Sequence, residues 1–129
     1  MIKGKINING YWKVIIYFDI DYNFFYDISN ELRKIGEQSL DIRRIKYNMK
    51  IQKAKAVTVS NLNKKISIVG FNTHYDILDY FNSIVHEAEH VKQAILDAYK
   101  IEDEGEAPAY TIGYIASRFI NIFIKNFYY

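Results

Sequence analysis

The sequence predicts a small α+β domain, and three patterns along the chain lead to this prediction. Residues 11–20 are rich in β-branched and aromatic side chains, which is typical of a strand. Two short alternating stretches, residues 55–60 and 65–70, are joined by a polar connection and predict an antiparallel hairpin. Apolar residues at helical spacing then predict two helices in the second half of the chain.

A further helix is predicted between the first strand and the hairpin. Asn23 is a suitable N-cap, and Gly36 suits the end of the helix. The apolar residues between them fall at helical spacing: Phe24, Ile28, Leu32 and Ile35. Residues 37–52 are mixed and polar, and they give no prediction.

Two C-terminal helices are predicted, the first from the capping pair at residues 73–76 to about Lys100 and the second from near Glu106 to about Lys125. Thr73 and Asp76 resemble a capping pair before the first of them. Pro108 is tolerated only in the first turn of a helix, so the second begins near Glu106. The expected order is strand, helix, hairpin, helix, helix, within one domain of residues 1–129.

Composition limits the classes of function. Half of the 129 residues are apolar, a quarter are charged, and the net charge is +2, so a soluble domain is expected and nucleic acid is not indicated. The start of the chain lacks an apolar run, so no signal peptide is expected. Residues 109–124 are apolar but carry Arg118 and are short for a membrane span, so a buried helix is expected. These features predict a cytoplasmic protein that does not bind membranes.

Residues 86–90 read His-Glu-Ala-Glu-His, which is the motif H-E-x-x-H. Residues four apart on a helix lie one turn apart on the same side, so His86 and His90 can both reach one zinc ion. Glu87 points about 100 degrees away, beside the ion, where it can take a proton from a zinc-bound water. The alternative is a pair of histidines exposed on a polar helix face.

A zinc site with two histidines needs a third ligand. Cysteine is absent, His74 is expected on the far side of the helix start, and Asp97 lies roughly 10 Å beyond His90 along the helix. The acidic turn that ends in Glu106 is better placed, because a chain reversal there could bring the next helix alongside. Gly113 shares a face with Glu106 and would let the two helices approach closely. The alternative is a solvated turn that caps the helix.

These residues resemble the gluzincin pattern, in which H-E-x-x-H is followed by E-x-x-A. The downstream residues follow the order E-x-x-A-Y-x-x-G-Y: Glu106, Ala109, Tyr110, Gly113 and Tyr114. The resemblance covers about residues 55–118 and is closest to very small gluzincins and to short H-E-x-x-H proteins of phages and mobile elements.

The resemblance implies a zincin-like metallopeptidase domain, with zinc as the cofactor and the hairpin guiding a peptide or protein substrate. His86, His90 and Glu106 would be the ligands, and Glu87 the general base. Two positions depart from the pattern, since Glu89 and Lys92 stand where uncharged and apolar residues are usual. Glu89 is expected to pair with a nearby cation such as Arg118.

The expected reaction is hydrolysis of a peptide bond, with Glu87 acting first as base and then as acid. The oxyanion that forms needs a further donor. Tyr110 and Tyr114 are the candidates, and Tyr114 is the better aimed. The alternative for each tyrosine is ordinary core packing.

Other classes of function stay open. A zinc-binding interaction module would use the ion to fasten two helices without turnover, which the small size favours. The aromatic end, residues 119–129, could form a homo-oligomer contact or close the cleft, or it could be the inner face of the last helix. A basic stretch in the middle of the chain is interrupted by acidic residues and lacks a recognition motif, so a solvated loop is favoured over nucleic-acid binding.

Overall fold

The computed structural model describes residues 1–36 and 39–127 and shows an α+β fold with four strands and four helices. The N-terminal half contains β1 (Ile2–Ile8), β2 (Trp12–Phe18), α1 (Tyr22–Lys34), α2 (Ser39–Lys46) and a π-helical turn (Tyr47–Ile51). The C-terminal half contains β3 (Ala56–Asn61), β4 (Ile66–Phe71), α3 (Ile77–Tyr99) and α4 (Glu106–Phe127).

The four strands form one sheet in the order β1-β2-β4-β3. β1 and β2 are antiparallel, β2 and β4 are parallel, and β3 and β4 form the predicted antiparallel hairpin. This order leaves β3 at an edge of the sheet, where it runs beside α3.

Helices cover both faces of the sheet. Side chains alternate between the two faces along each strand, and β2 has apolar side chains on both faces that the helices bury. On one face, Trp12, Val14, Ile16 and Phe18 of β2 pack with buried residues of α3 and α4. On the other face, Ile15 and Tyr17 pack with buried residues of α1 and α2. The result is three layers, with α3 and α4 on the face from which the histidines are presented.

Two elements of the N-terminal half were not predicted. The alternation along β1 is a strand signal that was not used: Ile6 and Ile8 are buried, whereas Lys3, Lys5 and Asn7 are exposed. α2 and the π-helical turn fill the region that gave no prediction, although residues 37 and 38 lie outside the described residues. The expected order of elements was therefore incomplete.

The long C-terminal helices are confirmed, with a correction to the start of α3. Asp76 is itself the N-cap, and its carboxylate accepts a hydrogen bond from the backbone N–H of Leu78. Thr73 instead donates its hydroxyl proton to Asp19. Phe119 and Phe123 are buried in the core, so the described aromatic end of α4 is its inner face, while residues 128 and 129 lie outside the described residues. Among the described residues, no helix combines the length and apolarity that crossing a bilayer requires.

Candidate metal centre

His86 and His90 lie one turn apart on α3 and point their rings at the same place. Their Nε2 atoms are 3.2 Å apart, and the rings are nearly perpendicular, at 82°. Two nitrogens bound to one tetrahedral zinc at about 2.0–2.1 Å would be about 3.3 Å apart. The two imidazoles are therefore already spaced as two ligands of one ion.

Glu87 is almost fully buried beside the two histidines, with about 4% of its surface exposed. Its Oε1 accepts a hydrogen bond of 3.1 Å from the hydroxyl of Thr58 on β3, and its Oε2 lies 3.9 Å from Nε2 of His86. Burial raises the pKa of the carboxyl group, and the nearby His90, Thr58 and His86 oppose that shift. One oxygen is thus anchored on the sheet, while the other is directed towards the histidines.

A cleft of about 480 Å³ lies between β3 and α3, and His86, Glu87 and His90 form part of its wall. The backbone N–H of Asn72 donates to the carbonyl of Lys55, so these two residues form a hydrogen-bonded pair at the start of the hairpin. Hydrogen-bonded and non-hydrogen-bonded pairs alternate along an antiparallel ladder, so residues 56, 58 and 60 do not bond to β4 through their backbone. Their N–H and C=O groups point away from β4, on the side of the sheet where the cleft lies.

His74 lies close to the cleft, which corrects the expectation that it lies on the far side of the helix start. Its Nε2 is 2.8 Å from the hydroxyl oxygen of Ser83, which lines the cleft, and its Nδ1 is 2.7 Å from the carbonyl oxygen of Asn72. A carbonyl can only accept, so in the neutral ring Nδ1 carries the proton and Ser83 donates to Nε2. His74 also stacks on Tyr80 at 4.4 Å between ring centroids, so its position is well fixed.

The structure does not bring Glu106, Tyr110 or Tyr114 to the histidines. Glu106 is exposed at the first residue of α4, and Tyr110 and Tyr114 are 73% and 38% exposed outside the cleft. The reason is that α4 packs against the core face of α3, whereas the histidines face β3. The expected close approach at Gly113 is wrong, because an added Cβ there would meet no atom within 4 Å.

The two residues that depart from the gluzincin pattern pair with each other. Lys92 Nζ lies 2.6 Å from Oε1 of Glu89 and 3.1 Å from both carboxylate oxygens of Asp103. Glu89 therefore pairs with Lys92 rather than with Arg118. The same lysine fastens the α3–α4 turn to α3, which holds the start of α4 near the end of that helix.

Sequence reasoning found the three motif residues but did not predict that Thr58 contacts Glu87. In residues 1–36 and 39–127, His86, Glu87 and His90 are the group of three ionisable side chains able to hold a metal ion, with one ligand atom of each within 4.8 Å of the others. Comparisons with models of protein families, with curated proteins and with solved structures find no match to this chain. The functional assignment therefore depends on the geometry of this group and its cleft.

Proposed function

We propose that the protein is a zinc-dependent, metallopeptidase-like hydrolase with a zincin-like fold. The observation that carries the proposal is the 3.2 Å separation of the two histidine Nε2 atoms beside a buried glutamate carboxylate. Unbound imidazoles at this distance can share a hydrogen bond, and the same spacing suits two ligands of one ion. A carboxylate as buried as that of Glu87 is uncommon beside two histidines unless it is paired or has a functional role.

The two histidines fit zinc as two of its ligands. Neutral imidazole nitrogens suit this ion, the spacing of His86 and His90 matches tetrahedral coordination, and the sequence has no cysteine that would compete for the metal. When bound, zinc would supply Lewis acidity, which polarises a carbonyl group and lowers the pKa of water to about 7.

Glu87 would move the proton in the reaction. Thr58 holds Oε1, which leaves Oε2 on the histidine side as the atom that accepts a proton from the attacking water. The water oxygen would first bond to the carbonyl carbon and give a tetrahedral oxyanion. The carbon–nitrogen bond would then break as Oε2 returns the proton to the leaving amine. Burial raises the pKa of this carboxyl group, which makes it a stronger base than an exposed glutamate.

The free edge of β3 supports a peptide as the substrate. An extended peptide can add to an exposed edge strand through main-chain hydrogen bonds. The outward backbone groups at positions 56, 58 and 60 offer such bonds, and Thr58 is also the residue that contacts Glu87. A peptide bound there would pass directly in front of the carboxylate.

The roles of Glu106 as the third ligand, and of Tyr114 or Tyr110 as oxyanion donors, stay predictions from the resemblance. Each would need α4 to approach the cleft more closely than it does here. The separation of Glu106 from the histidines also counts against the alternative, a catalytically silent zinc-binding interaction module, because the ion could not fasten α4 to α3 through this residue.

Elemental analysis of the purified protein tests the metal, with His86→Ala, Glu106→Ala and a control, Gln93→Ala on the exposed side of α3. We expect about one zinc per chain, lost in His86→Ala and kept in the control. Zinc retained by Glu106→Ala would remove Glu106 from the ligand set while leaving the histidine site in place. Absence of zinc from the wild type after zinc is added would disprove the proposal.

A peptidase assay then separates the enzyme from the silent module. Glu87→Gln keeps the size of the side chain and should keep zinc, but it should lose hydrolysis by a factor of about 100 or more because the general base is gone. Full zinc occupancy with no hydrolysis in the wild type would favour the interaction module.

A further inference from the structure

We propose that a second site, at the opposite end of β3 from the histidines, binds a phosphate group. It is a groove of about 620 Å³ between the β1–β2 turn, the end of α1 and the β3–β4 turn. Four lysines line it, together with a single acidic residue: Lys13, Lys34, Lys64, Lys65 and Glu31. Lys64 and Lys65 are adjacent in the sequence, and the fold brings Lys13 and Lys34 to them.

Among the described residues, two of the ammonium groups contact only neutral partners. Lys64 Nζ donates to the carbonyl oxygen of Lys34 at 2.7 Å, and Lys65 Nζ donates to that of Leu62 at 3.0 Å. Lys65 Nζ also lies 4.9 Å from the centre of the Tyr99 ring. A lysine ammonium has three N–H donors, so each keeps two donors and its full charge for a ligand.

Lys13 adds a third uncompensated charge. On β2, Lys13 lies on the same face as Ile15 and Tyr17. α1 covers those two residues, whereas the side chain of Lys13 is exposed. Its backbone N–H donates to the carbonyl of Lys65, which fixes the two residues side by side. In the part of the chain that the structure describes, no carboxylate lies within 4 Å of the Lys13 ammonium.

The one carboxylate in the groove is already shared. Glu31 Oε1 lies 3.3 Å from Lys3 Nζ and 3.6 Å from Lys34 Nζ. The groove therefore holds like charges that repel one another, and a small anion with several acceptor oxygens would relieve the repulsion. Phosphate meets this need, since it carries up to two charges near neutral pH and lysine is a common phosphate ligand. The site is independent of the histidine cleft and of the function proposed for it.

The test is a titration of the whole chain with inorganic phosphate. Amide NMR shifts are measured at each phosphate concentration, at constant ionic strength and with chloride as the balancing anion. The variants are Lys13→Gln and Lys65→Gln, and the matched control is Lys125→Gln, an exposed lysine in the last turn of α4. We expect saturable shifts in the groove, with a Kd that rises about fivefold or more in each groove variant and is unchanged in the control. Shifts that do not saturate, or equal weakening in all three variants, would overturn the proposal.

Two further ligands identify the source of the phosphate group. If AMP binds as tightly as phosphate, the site recognises the phosphate group alone. If AMP binds more tightly, the rest of the nucleotide also contacts the groove, where Tyr99 lies beside Lys65. Single-stranded oligonucleotide that binds at least tenfold tighter than AMP, and loses that affinity in the groove variants, would replace the small-ligand site with a nucleic-acid surface.

Discussion

Replacing Thr58 by valine tests how Glu87 is held, because the substitution removes a hydroxyl group while keeping the size and β-branching of the side chain. The lost hydrogen bond of 3.1 Å serves a carboxylate that is almost fully buried. A buried acceptor left without its donor costs about 1–3 kcal/mol, more for a charged group. We therefore expect the metal-free variant to be less stable by about 2 kcal/mol, and its Tm to fall by roughly 6–10 °C for a chain of this size.

Urea denaturation of the metal-free protein, followed by circular dichroism, measures the loss. Thr58→Ser is the control, because it keeps the hydroxyl and removes only a methyl group. In a Glu87→Gln background the cost of Thr58→Val should fall to about half, since a hydrogen bond to a neutral amide oxygen is weaker. If Thr58→Val and Thr58→Ser agree within about 0.5 kcal/mol, the hydrogen bond does not hold the carboxylate and the reasoning is refuted.

Two other predictions concern the core. Gly70→Ala would place a Cβ 2.9 Å from the ring of Phe24, which is fully buried, so we expect a loss of about 1–3 kcal/mol in urea denaturation. Gly4→Ala is the matched control, because its tightest contact is 3.2 Å from the flexible end of an isoleucine side chain; a loss as large there would contradict the argument. Burial raises the pKa of Tyr80 to about 12, so the folded state keeps this phenol neutral. The stability that the neutral phenol provides should be complete below about pH 10 and should decline as the pH rises towards 12. Tyr80→Phe should make that decline less steep when the free energy of unfolding is measured at increasing alkaline pH.

The three motif residues could be predicted from sequence because their relation is local. Spacings of one and four residues fix which side of a helix His86, Glu87 and His90 share, whatever the rest of the fold does. The contact of Thr58 with Glu87 depends instead on how β3 lies against α3. The only sequence signal for it was the alternation of Val57 and Val59, which places position 58 on the opposite face of the strand.

The placement of α4 shows where sequence reasoning ends. The helix itself, its start at Glu106 and its inner aromatic face follow from local pattern, and the structure confirms them. Its angle around α3 depends on contacts that no local pattern encodes, including the ion pair of Lys92 with Asp103 in the turn before α4. The strand β1 differs, because its alternation of apolar and polar residues is a local signal from which the strand could have been predicted.

The order of the strands has a consequence for how this protein folds. The residues of the histidine cleft all come from one continuous stretch, residues 55–90, and its key contact joins residues 29 apart in sequence. The parallel pairing of β2 with β4 joins residues that are further apart in the sequence. The side-chain hydrogen bond from Trp12 on β2 to Ser67 on β4, for example, spans 55 residues. Because loop closure costs more entropy for longer loops, we expect the hairpin and α3 to associate before β2 inserts beside β4. The cleft would then take shape early, and the closing of the sheet would be the slower event that makes it rigid.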